Sequence, residues 1–265
     1  FAPISLFLKK RIGYVQINKP TFYISTEYPP SLRLDKFMGG KRALEIGSLS
    51  IADGQMTIVD PARQRSGELL FNLSCHLDRA AGQLSWRLDA SDSDARGHGS
   101  LVSSGWVRSP EIAGHIAEFE GRFDTKAEKL DVWTLGCIAR ILRMKKLSPL
   151  AIGEVEGIAA GELSGHVTFQ GFSADLDVQL HSLTVVAESG RTVARSFDTR
   201  VAGSLKYDPF SGIANITILS WNLPGCKLQG EVVAKLAAEQ LPVVERAQVS
   251  GWFELDVLRE LVPDL

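Results

Sequence analysis

Apolar and polar residues alternate with a period of two along much of this chain, the mark of a strand with one dry face. From Leu69 to Leu77 the apolar positions are Leu69, Phe71, Leu73, Cys75 and Leu77, separated by Leu70, Asn72, Ser74 and His76. A turn at 79–82 follows, and alternation resumes through Leu84, Trp86, Leu88 and Ala90. The two runs predict a β-hairpin with one apolar face. A second hairpin has Val167 and Phe169 leading to a turn at Gly171, then Ala174, Leu176, Val178 and Leu180. A third runs from Val201 to Tyr207, turns at 208–212 and returns through Ala214, Ile216 and Ile218. A fourth pair is expected at Gly230–Leu236 and Ala247–Leu255. Nearer the start, Tyr14–Ile17, Thr21–Ser25, Leu44–Ile51 and Gln55–Asp60 read as strands, with turn signals at Asn18-Lys19-Pro20 and Ala52-Asp53-Gly54.

Helical spacing is rarer. Val132, Leu135, Ile138, Ala139 and Leu142 predict a helix over Leu130–Lys146, with Asp131 as its N-cap and basic residues at its end. A second helix is expected to begin at Leu255. Each helical segment follows a strand-like run, which suggests a long repeat of several strands and one short helix. Gly153, Gly157, Gly161 and Gly165 recur every four residues, but with Glu154, Glu156 and Glu162 among them they read as a bend between helix and strand. The chain is expected to be all-β with one or two short helices. It carries no firm internal boundary across 1–265, only soft junctions near 93–99 and 148–150.

A one-sided apolar sheet must cover its dry face with a second sheet, a helix or a ligand. Two short helices are too few for so many strands. Two architectures answer the problem: a β-sandwich, and an antiparallel curled sheet forming an elongated apolar groove.

Composition narrows the function. Of 265 residues 45% are hydrophobic and 23% charged, ordinary for a folded chain, so a disordered chain is not expected. The formal net charge is −2, and the basic clusters Lys9-Lys10-Arg11 and Arg143-Met144-Lys145-Lys146 are short, so no stripe for nucleic acid is expected. Cys75, Cys137 and Cys226 are dispersed and match no zinc spacing. No stretch approaches the roughly 20 apolar residues that span a bilayer. The chain opens at Phe1 without an initiator Met and is expected to be a segment of a longer product.

Motifs that carry chemistry are missing. The five His lack zincin spacing, and no G-x-S-x-G or G-x-G-x-x-G run occurs. Gly39-Gly40-Lys41 lacks the flanking residues of a phosphate loop. Asp175 and Asp177 point the same way on a strand, where they could take a cation or form a solvated face. Five dispersed Trp could serve a core or a sugar platform. No enzyme activity and no cofactor are expected.

One stretch carries a family signature. Leu44–Asp60, reading LEIGSLSIADGQMTIVD, resembles the recurring strand pair of AsmA-like proteins, "I-x-x-L-x-I-x-x-G" followed by a strand ending in Asp. Val15–Ile24 is similar to that family's entry strands, Phe119–Asp124 to the strand before its helix, and Gly161–Gly171 to the strand after it. The resemblance, which extends to TamB and YhdP and to bridge-like lipid-transfer proteins, implies a bacterial envelope protein of the periplasm. It implies an inner-membrane anchor outside this chain, and a curled sheet whose apolar floor holds the acyl chains of phospholipid. No catalytic residue comes with it. With it, the curled sheet is preferred over the sandwich. The expected floor is Leu69, Phe71, Leu73, Leu77, Leu84, Trp86, Leu88, Val167, Phe169, Leu176, Val178 and Leu180. The competing expectation is a β-sandwich binding carbohydrate or protein in the extracellular space.

Overall fold

The computed structural model describes residues 11–25, 45–61, 64–78, 80–92, 99–108, 119–134, 152–187, 192–235, 243–254 and 256–257. Outside these lie the glycines at 39–40, Cys137, both soft junctions except Gly99, and all but a turn of each expected helix.

The alternating segments form thirteen strands: β1 (Arg11–Asn18), β2 (Thr21–Ser25), β3 (Glu45–Asp60), β4 (Arg65–Asp78), β5 (Gln83–Asp92), β6 (Ser100–Arg108), β7 (Glu120–Asp131), β8 (Ile152–Thr168), β9 (Gly171–Ala187), β10 (Thr192–Asp208), β11 (Ile213–Leu223), β12 (Cys226–Lys235) and β13 (Val243–Phe253). All thirteen belong to one sheet, so the strands do not divide into the two facing layers of a sandwich. From β3 to β13 each strand pairs antiparallel with the next in sequence. Only β1 and β2 differ, running parallel to β3 on its outer side.

Two expected turns are irregularities within the sheet. Ala52-Asp53-Gly54 is a bulge inside β3, with Asp53 at φ 52° and the register to β4 slipping between Ile51 and Gly54. Asn18-Lys19-Pro20 is the matching kink between β1 and β2, and it stays attached: Lys19 N donates to Ala52 O and Gln55 N to Pro20 O. The expected glycine bend is also strand, since Gly153, Gly157, Gly161 and Gly165 all lie in β8. Gly157, at φ 146°, occupies the register slip between Glu156 and Ile158, a conformation an L side chain rarely adopts.

Bulges recur at Lys129, Ser182 and Ser196, each with positive φ. Neighbouring strands hold several of them through side chains. Asn72 Oδ1 accepts from Asp53 N, Asp198 Oδ1 from Ser182 N, and Thr184 Oγ1 from Ser196 N. Each bulge bends its strand and adds twist, so the sheet curls.

The curl is tight where β3, β5 and β7 end. Arg65 Nη1 on β4 meets Glu156 Oε1 on β8 at 2.8 Å, and its Nη2 meets Asp131 Oδ2 on β7 at 3.3 Å. Four strand spacings in a flat sheet would be about 19 Å, beyond the combined reach of these side chains. Just past β7, Trp133 lands on Ile58 and Leu69, with Ile24 and Met56 at the margin, forming the one fully buried apolar cluster among the described residues. Asp131 closes β7 and, as expected, caps the following turn, its Oδ2 accepting from Thr134 N at 3.3 Å. The expected helix start at Leu130 is corrected, because Leu130 and Asp131 are the last residues of β7.

Asp92 ties this end together. It is 3% exposed, and its oxygens accept from Gly99 N at 2.6 Å and from Asp131 N at 3.2 Å, so it reaches from β5 to β7 past the start of β6. Replacing Asp92 with Ala strands two backbone donors. The expected loss is about 3 kcal/mol, read as a lower urea midpoint at unchanged slope. A loss below about 0.5 kcal/mol would mean that these donors find other acceptors.

Candidate functional site

Cross-strand partners lie on the same face of a sheet, so the register sorts the side chains. Leu73 faces Leu88, Cys75 faces Trp86 and Leu77 faces Leu84 between β4 and β5. The same face passes through Gly105 and Phe123, then Leu163 and Leu176, then Val178 and Val201. It continues through Leu205 and Ile216 to Val232. In the other direction it runs through Ile51 and Met56 of β3 to Ile17 and Phe22 of the edge strands. One apolar face therefore crosses the whole sheet. The opposite face carries Ser74, Arg87, Asp124, Glu162, Asp177 and Lys206 in the same rows.

Eleven of the twelve expected floor residues stand on this apolar face. Leu69 and Phe71 are buried, and the other nine are half-buried. Phe169 does not join them. Thr168 ends β8, its Oγ1 accepting from Gln170 N and donating to Gly171 O, so Phe169 falls in the turn and is 67% exposed. Sequence reading also stopped short, because β3 and β10–β12 carry the same alternation and extend the face in both directions.

The face is half-buried because it packs sideways on itself. Trp86 lies against Gly105, where a Cβ would come within 2.4 Å of the ring. Phe123 lies against Gly165 at 2.2 Å, Phe71 against Gly54 at 2.7 Å and Trp133 against Gly67 at 2.9 Å, each distance measured from where a Cβ would be. The first three are direct cross-strand partners. A glycine lets an aromatic ring lie down over the next strand and shield backbone. Gly165→Val should lift the Phe123 ring and cost about 1–3 kcal/mol. Adding Phe123→Ala should cancel part of that loss, a coupling that a double-mutant cycle in urea measures. Purely additive losses would show that the ring and the glycine are not packed together.

The polar face holds charge in neighbour pairs. Arg200 and Asp177 pair side-on between β10 and β9, at 2.6 and 2.9 Å. The guanidinium hydrogen-bonded to it holds the Asp177 carboxyl below the usual range. Asp175 is thereby left without its neighbour as a second cation ligand, and among the described residues no cluster of three His, Cys, Asp or Glu is placed to hold a metal. A hollow of about 680 Å³ lies over this face between β6 and β11, as a saddle-twisted sheet gives each face a concave diagonal. The Trp residues form no platform. Trp86 and Trp221 are on the apolar face, Trp106 on the polar face under Arg108, Trp133 is buried, and Trp252 is exposed at the β13 edge. No helix among the described residues is long and apolar enough to cross a membrane.

Among the other carboxyls depressed in the same way are Asp198, bonded by Ser182 N and His181, and Asp208, bonded by Ser211 Oγ and Phe210 N. A depressed folded pKa stabilises above the unfolded value, about 3.9 for Asp, and that share fades as pH falls through the folded value. All three sites are open to solvent, so the share is small. Stability should be flat from neutral pH to about pH 4 and fall only below it, and Asp177→Asn should leave the neutral-pH urea midpoint unchanged. Calcium should not raise the melting temperature; a calcium-dependent rise lost in Asp177→Asn would reinstate a cation site.

No family model, curated protein or solved structure matches the chain.

Proposed function

We propose that this chain is a non-enzymatic lipid-binding module, whose apolar face holds the acyl chains of a phospholipid or similar lipid. One observation carries the reading: an apolar face continuous from the β1–β2 edge to β12 has no second layer of strands against it among the described residues. Most of its leucines and valines are half-buried rather than buried, so they retain apolar area for a ligand to cover. Each methylene of an acyl chain laid on such a surface contributes about 0.8 kcal/mol. The face is lined by side chains without acid–base partners, which suits a ligand held by contact rather than turned over. The resemblance of Leu44–Asp60 and Gly161–Gly171 to AsmA-like strands points the same way. It extends the proposal to a lipid-transfer segment of a bacterial envelope protein working in the periplasm.

Native mass spectrometry of the purified chain, followed by lipid extraction, tests the reading. Co-purified phospholipid is expected. Leu176→Asp and Leu73→Asp place a charge on the face at half-buried positions and should reduce bound lipid at least about tenfold while the strands still form. A stable, lipid-free monomer that takes up no added phospholipid would overturn it.

A further inference from the structure

We propose that the end of the sheet bearing the β8–β9 and β10–β11 turns docks on an anionic lipid bilayer, with Phe169 and Phe210 entering the interface. Phe169 and Phe210 are 67% and 70% exposed, and their rings meet edge-on with centroids 5.4 Å apart. They sit on adjacent tight turns, beyond the last ladder pairs Thr168–Gly171 and Asp208–Ile213. Neither ring is a spare core residue that has slipped outward, because the turns fix both. Thr168 builds the first turn, and Asp208 builds the second by accepting from Phe210 N at 2.8 Å and Ser211 Oγ at 2.7 Å. A pair of phenyl groups held out past the strand ends on rigid turns has the geometry of a shallow membrane wedge.

Charge at the same end selects the kind of bilayer. Arg122 and Lys206 occupy one transverse row of the polar face, linked through His166 and Ser173, and Lys235 stands level with Asp208 at the β10–β11 turn. All three are exposed, and none forms an ion pair among the described residues. The acidic groups at the turns themselves are engaged, while Asp124, Asp175 and Glu245 stand exposed further along the strands. Asp208 is committed to its own turn, and Glu120 bonds His166 at 3.2 Å. The result is a phenyl pair flanked by cations unpaired among the described residues, complementary to acyl chains below and anionic headgroups around them.

This site shares no residue with the apolar face proposed to hold acyl chains, so the two can fail separately. The test is co-sedimentation of the full chain with vesicles of phosphatidylcholine, with and without phosphatidylglycerol. Binding is expected only to the mixed vesicles, and should fall as salt rises. Phe169→Ser with Phe210→Ser should weaken it by about tenfold per ring, with an unchanged circular dichroism spectrum. Arg122→Gln, Lys206→Gln and Lys235→Gln together should abolish the preference for phosphatidylglycerol. Leu176→Asp should still sediment with vesicles, which separates docking from acyl binding. Equal binding to both vesicle types, or binding untouched by the double Phe variant, would overturn the proposal. So would no binding, and self-association lost in that variant would then assign the pair to a protein contact instead.

Discussion

The structure depends on how a wide sheet shelters an apolar face without a second layer to cover it. An exposed phenyl or indole on a sheet forfeits part of the 1.5–3 kcal/mol that full burial of a large apolar side chain is worth, about that much per residue. Here the rings recover some of it sideways. Phe71, Trp86 and Phe123 each lie across a glycine of the adjacent strand, and Trp133, just past β7, lies across Gly67 of β4. The arrangement asks for a bulky residue and a missing Cβ at paired positions, repeated across the ladder. Trp86 and Phe123 stay half-exposed while Phe71 and Trp133 are buried, so the face is shielded along its length without being closed.

Curvature follows from a second device, the bulge whose freed amide is taken up by a side chain one strand away. Asn72, Thr184 and Asp198 each accept such an amide. A bulge so held is a fixed bend rather than a loose one. Where the bends accumulate, β4 comes within reach of β7 and β8, and Arg65 is drawn between Asp131, Glu156 and the face of Trp133. Asp92 and Asp131, both under a tenth exposed, are buried there at the cost of desolvation, and the backbone donors they satisfy offset it. That end of the apolar face is shut by charge and indole.

Most strands were legible because a one-faced sheet writes its period into the sequence. The hairpins at 69–90 and 201–218 have their expected alternation in register. What escaped was everything that depends on a partner strand. Gly165 makes sense only beside Phe123, which lies some forty residues earlier in the chain, so a four-residue glycine spacing looked like a bend. Asp53 looked like a turn residue because a bulge and a turn use the same left-handed backbone. The parallel pairing of β1 and β2 leaves no local mark at all. Phe169 failed for the opposite reason: its alternation was right, but the Thr168 hydroxyl ended the strand one residue sooner. The width of the apolar face is legible too, in the alternation of β10 to β12, but only when adjacent strands are set side by side.

The two faces impose different chemistry on anything that approaches. On the polar face, charges such as Arg200 and Asp177 are paired with a neighbour strand and open to water. They set solubility and cost little to replace. Away from the end closed by Arg65 and Asp92, the polar groups on the apolar face among the described residues are chiefly hydroxyls such as Ser103 and Thr125, which bond each other. If the face holds acyl chains as proposed, it would distinguish them by length and by how well they lie against the relief of rings and glycines, not by headgroup. On the proposed reading, selectivity for a headgroup would then have to come from the rims, where the strand ends bring cations and aromatic turns together. The floor would serve as a low-friction apolar track, because a half-buried side chain gains modestly from each contact and releases it at similar cost.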